Sequence, residues 1–92
     1  MEKILLTETY TVNQGDYVRA GEASASIKNT LKKIGVDSER IRRTAIIAYE
    51  CEMNIIIHSL GGCMKLELSD EYITISSKDI GPGIENIELA LK

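Results

Sequence analysis

ERIRRTAIIAYECEMNIIIHS, residues Glu39 to Ser59, is the stretch whose reading decides the fold. Its apolar residues, Ile41, Ala45, Ile46, Ile47, Ala48, Met53, Ile55, Ile56 and Ile57, fall on most sides of a helix. A helix of that kind is central, packed on a sheet on one side and on other helices elsewhere. Asp37 or Ser38 is placed to cap it, and Glu39 suits its first turn. Gly61-Gly62 ends it. Downstream, Met64 to Leu68 alternates apolar and charged residues, Ser69-Asp70-Glu71 turns the chain, and Tyr72 to Lys78 returns, so these two strands form an antiparallel hairpin. Asp79-Ile80-Gly81-Pro82-Gly83 is a rigid loop, and Ile87 to Lys92 is read as the start of a short helix capped by Asn86.

Upstream, Ile4, Leu6, Tyr10 and Val12 share one parity, interrupted by Glu8, with Thr7, Thr9 and Thr11 on the other. That period of two marks a strand over Ile4 to Val12. After the turn Asn13-Gln14-Gly15-Asp16 the period changes. Ala20, Ala23, Ile27, Leu31 and Ile34 give one apolar face of a helix over Tyr17 to Ile34, which Gly35 stops. The order of elements predicts an α+β, two-layer sandwich, with a mixed or antiparallel sheet and helices on one face.

The 92 residues suit a single domain, 1–92, with a thin stability margin. With no Trp and no Phe, the core is built from Ile, Leu, Val, Ala and Met. A net charge of -3 argues against direct binding of nucleic acid, which needs a basic surface to release counterions. No run approaches the roughly 20 apolar residues of a membrane span, and the N-terminus lacks the pattern of a secretory signal. Cys51 and Cys63 lack CxxC spacing and read as reduced, partly buried thiols of a cytoplasmic protein.

Three polar residues break the long apolar helix: Glu50, Asn54 and His58, spaced by four. That spacing lines them along one stripe, which must meet solvent, a hydrogen-bond network or a ligand. Glu52 lies on nearly the opposite side, among Ala45, Ala48, Ile55 and Ile56, and has no role that the sequence assigns. Asp79-x-Gly81-x-Gly83 follows directly on a strand, and its glycines let backbone turn tightly beside a ligand. Taken singly, each of these residues has a plain reading: a solvated Glu50, an Asn54 bonded to its neighbours, a satisfied His58 near a helix end, and a turn at 79–83.

Taken together they resemble two boxes of the gyrase, histidine-kinase and MutL-type ATPase superfamily. Glu50-Cys51-Glu52-Met53-Asn54-Ile55-Ile56-Ile57-His58 looks like its Asn-containing helix, and Asp79-Ile80-Gly81-Pro82-Gly83-Ile84 like its first glycine box. Tyr17-Val18-Arg19-Ala20-Gly21-Glu22 and Arg42-Arg43-Thr44-Ala45-Ile46-Ile47-Ala48-Tyr49 are similar to stretches of the anti-sigma regulatory factors, which are serine/threonine protein kinases.

The resemblance implies that Asn54 coordinates a magnesium ion bridging the ATP phosphates, and that Glu50 is the general base toward a serine hydroxyl or water. It implies that Asp79 accepts from the adenine amino group, that Gly81 and Gly83 let backbone approach the base, and that His58 lies near the nucleotide. The implied cofactors are ATP and magnesium. The implied protein partners are a sigma factor or an anti-anti-sigma protein.

The family pattern continues with a lid and a second glycine box beyond the point corresponding to Lys92. A C-terminally incomplete fold, a missing phosphate cradle and a homodimer formed at an exposed sheet edge are therefore expected. Two readings stand beside the kinase: a non-catalytic interaction module of a sigma-factor regulatory system, and an inactive fragment folded only as a dimer or domain swap.

Overall fold

The computed structural model describes residues 4–58, 61–79 and 84–90; at His58, at Asp79 and over 84–90 the description is of the backbone. The chain runs β1 (Ile4–Val12), α1 (Glu22–Lys33), α2 (Ser38–His58), β2 (Gly62–Ser69), β3 (Tyr72–Asp79) and β4 (Ile84–Ala90). The fold is α+β: β1, β2 and β3 form an antiparallel sheet on which the two helices pack, and β4 extends it beyond β3 in the order β1-β2-β3-β4. Every pairing is antiparallel, so no strand is parallel among the described residues.

The strand alternation sorts the sheet into two faces. Leu6 pairs with Leu68, Glu8 with Leu66 and Tyr10 with Met64, while Leu66 pairs with Ile75 and Leu68 with Ile73. Met64, Leu66, Leu68, Ile73 and Ile75 are buried and join Ile27, Leu31, Ala48, Ile55 and Ile56 of the helices in one core. The opposite parity carries Thr7, Thr9, Thr11, Lys65, Glu67 and Thr74, none of them buried. Glu8 breaks the apolar face because it is bonded there: Tyr10 Oη donates to its Oε1 at 2.7 Å and Thr30 Oγ1 at 2.8 Å, tying β1 to α1. The hairpin turn is held by Ser69, whose Oγ accepts from the Tyr72 N–H at 2.9 Å and the Glu71 N–H at 3.2 Å.

α2 meets β1, β2 and β3, and α1 packs along α2. Asp37 is the cap: its Oδ2 accepts from the Arg40 N–H at 3.1 Å and its Oδ1 from the guanidinium at 2.8 Å. The bonds from Arg40 hold the Asp37 carboxyl below the usual carboxylate range. α2 buries a narrower face than its composition predicts. Ile41, Thr44, Ala48, Cys51, Ile55 and Ile56 are buried, while Ile46 is 54% and Ile57 49% exposed.

Two expected elements are corrected. The first helix begins at Glu22, not Tyr17, because Gly21 takes φ 94° and residues 18–21 turn; the Ala20 N–H bonds to the Tyr17 carbonyl and the Glu22 N–H to the Arg19 carbonyl. The segment read as a helix from Ile87 is the strand β4, with Ile87 opposite Ile75 and Leu89 opposite Ile73. A helix this short pays nucleation for few bonds, whereas β3 offers a ready row of backbone partners. The loop read at Asp79–Gly83 and the helix end read at Ser59 extend into residues 80–83 and 59, outside the described residues.

Candidate functional site

Glu50 and Asn54 lie one turn apart on the solvent face of α2, both exposed. The side that faces the core is spent on Ala48, Cys51, Ile55 and Ile56, so the helical period leaves these two polar residues outward. Among the described residues no hydrogen bond or ion pair engages either side chain. His58 is the last residue of α2. Asp79 is the last residue of β3, with Gly62 as its register partner. Gly81 and Gly83 lie outside the described residues.

The chain links these positions in order, from the end of α2 to the strand that pairs with β3. Only residues 59–61 separate His58 from β2, so His58 and Gly62 stand at most about 15 Å apart by chain reach. Asp79 is across the ladder from Gly62, about 5 Å away, and Asn54 is one helical turn, about 6 Å, behind His58. Glu50 is a further turn back, beside a groove of 570 Å³ between α1 and α2 that Lys28, Lys32 and Arg42 also line. Asn54 is not part of that groove.

The two side chains offer an amide and a carboxylate to solvent. An exposed amide oxygen can replace one water on a hard cation, and an exposed carboxylate one turn away can take a proton. Among the described residues no cluster of three or more His, Cys, Asp or Glu could hold a metal by itself.

Glu52, which the sequence left unassigned, is a structural carboxylate. It is 2% exposed, and its oxygens anchor the start of α1: Oε2 accepts from the N–H groups of Gly21 at 3.1 Å and Ala23 at 3.2 Å, and Oε1 from the Ser24 N–H at 3.2 Å. Helix starts leave such N–H groups orphaned, and Gly21, the cap residue, has no side chain to serve them. A carboxylate there also meets the positive end of the helix dipole. The sequence carried only half of this signal, a charged residue on an apolar helix face; the helix start it serves was read at Tyr17 and stands at Glu22.

A second concavity of 480 Å³ lies between the end of β1, the loop at Asn13–Arg19 and α1. It is lined by Asn13, Asp16, Arg19, Glu22 and Glu52, and holds none of the residues of the Glu50 stripe. Its one buried carboxylate is already committed to backbone. Cys51 is buried, Cys63 is half-buried, and neither forms a disulfide. Among the described residues no helix is long and apolar enough to cross a membrane.

No family model, no curated protein and no solved structure matches this chain.

Proposed function

We propose that this chain is an ATP-binding domain of the anti-sigma serine/threonine kinase type, within the histidine-kinase-like ATPase superfamily. One observation carries the reading. Glu50 and Asn54 are open to solvent one turn apart on a helix whose end is joined, through residues 59–61, to the strand opposite Asp79. In this reading Asn54 holds magnesium, Asp79 selects adenine, and Glu50 accepts the proton of an attacking serine hydroxyl. The same resemblance assigns His58, Gly81 and Gly83 to the nucleotide site. ATP supplies the transferred phosphoryl group; what the protein adds is positioning and charge. The protein partner is a sigma factor or an anti-anti-sigma protein, and a homodimer joined through an outer strand belongs to the same proposal.

Titration calorimetry with Mg-ADP and Mg-ATP tests it. Saturable binding is expected, weakened by Asp79→Asn and by Asn54→Ala. Glu50→Ala should keep nucleotide binding and abolish transfer to serine. No binding at about 1 mM nucleotide overturns the proposal. Light scattering that reads a monomer over a wide concentration range rejects the homodimer.

A second reading, a non-catalytic interaction module, is favoured by the apolar groove in which Ile46 and Tyr49 lie 54% and 47% exposed. In that case there is no transfer for Glu50→Ala to abolish.

A further inference from the structure

The 570 Å³ groove beside Glu50 has a chemistry of its own. Its floor is Ile41, Ala45, Ile46 and Tyr49 of α2. Ile41 is 6% exposed and secures the floor to the core, while Ile46 and Tyr49 stand half out of the surface. Lys28 and Lys32 of α1 form one wall and Arg42 stands on α2. Glu50 is the single acidic residue lining it, three turns along α2 from its start. Three basic residues and one acidic one are thus concentrated here in a chain whose net charge is -3.

We infer that this groove docks an amphipathic helix of another protein, with an apolar face for the floor and acidic residues flanking it. The lining from Ser38 to Glu50 spans about 18 Å of helix, which matches about 12 residues of a partner helix and three apolar anchors at i, i+3 or i+4, and i+7. Lys32 and Arg42 sit near the α1–α2 connection and Glu50 at the far end, so the partner's acidic residues lie toward the connection. A second copy of this chain is the wrong occupant. Two copies of this groove are both net basic, three basic residues to one acidic, so they complement one another less well than an acidic partner does. The inference does not need nucleotide binding, and it names the chemistry of a partner rather than its identity.

The probe is a fluorescein-labelled peptide of about 15 residues, with leucines at helical three-four spacing and glutamates flanking them, read by anisotropy. Its counterpart carries lysines for the glutamates. The acidic peptide is expected to bind saturably, to weaken about tenfold with Lys28→Glu plus Lys32→Glu, and to weaken as salt rises from about 50 to about 300 mM. Ile46→Asp should remove binding, with the far-ultraviolet dichroism unchanged because the side chain is half exposed. The lysine peptide should not bind. Equal binding of both peptides, or insensitivity of the acidic one to the charge reversal, overturns the inference. So does self-association of the chain that Ile46→Asp abolishes and the acidic peptide fails to compete.

Discussion

Replacing Glu52 by alanine tests the anchor between the helices most directly. The substitution strips the acceptor from three backbone donors, of which the Ala23 and Ser24 bonds are buried and the Gly21 bond partly so. A buried donor left without a partner costs about 1–3 kcal/mol, so the two buried ones set a range of about 2–6 kcal/mol. Two effects pull the figure down. Removing the carboxylate also removes its own desolvation cost, and the adjacent 480 Å³ concavity, which Glu52 and Ala23 both line, lets water reach the orphaned groups. The expected loss is therefore about 3 kcal/mol, a large fraction of the roughly 5–10 kcal/mol that a domain of this size has. At about 4–8 °C per kcal/mol, the midpoint should fall by about 12–24 °C. Glu52→Gln keeps the volume and one acceptor oxygen, but turns an N–H₂ toward one of the donors, and should cost about 1–2 kcal/mol. Glu50→Ala, two residues away on the exposed side, should stay within about 0.5 kcal/mol. Urea unfolding followed by circular dichroism gives the three values, and native-state hydrogen exchange shows whether Ala23 and Ser24 open first. A loss under about 1 kcal/mol for Glu52→Ala, with exchange at Ala23 and Ser24 unchanged, would refute the anchor.

The Glu8–Tyr10–Thr30 network predicts two pH limbs. Burial and the bond to Glu8 push Tyr10 up to about 12, so its contribution is full below its unfolded value near 10 and is lost as pH rises toward 12. The bonds from Tyr10 and Thr30 lower Glu8 below 4.5, so its contribution is present above 4.5 and is lost as pH falls through the lowered value. Thermal melts of Tyr10→Phe across pH should show a flatter alkaline limb; an unchanged limb rejects the network. Gly21→Ala should cost about 1–2 kcal/mol from backbone strain at φ 94°, since a Cβ there meets only Tyr49 Cε1 at an ordinary 3.7 Å; chemical denaturation reads it. Leu31→Ala, at a fully buried position, should cost about 2–5 kcal/mol in the same assay. Ellman's reagent should modify the half-buried Cys63 well before the buried Cys51 in the folded protein.

What the sequence made legible is what depends on local period. The β2–β3 hairpin follows from strict alternation over Met64–Leu68 and Tyr72–Lys78, and β1 was readable through the interruption at Glu8. The start of α2 was readable within a residue, but its exposed side was not, because a count of apolar residues does not say which of them find a neighbour. The start of α1 was misread since Ala20 fits the helical period and the positive φ of Gly21 leaves no mark on hydrophobicity. β4 was misread because Asn86 suits a helix cap before Ile87, and the partner that makes the segment a strand lies on β3. The site divides the same way. The spacing put Glu50 and Asn54 on one stripe but left open whether it met solvent, a hydrogen-bond network or a ligand; the two are exposed. The role of Glu52 could not be read, because its partners are backbone groups 28 to 31 residues away.

The two acidic residues of the Glu50-Cys51-Glu52 triplet show how one helix separates support from exposure. Positions two apart on a helix point about 160° away from one another. Glu52 is thereby carried inward, where it fixes the first turn of α1, and Glu50 outward, to the end of the groove that α1 helps to wall. The buried carboxylate sets where α1 begins; with α1 packed along α2, that start fixes where Lys28 and Lys32 stand relative to Ile46 and Tyr49. The geometry of the exposed surface is thus held from its hidden side. A change at Glu52 reaches the groove by moving the helix, whereas a change at Glu50 alters charge at the surface and leaves the frame in place.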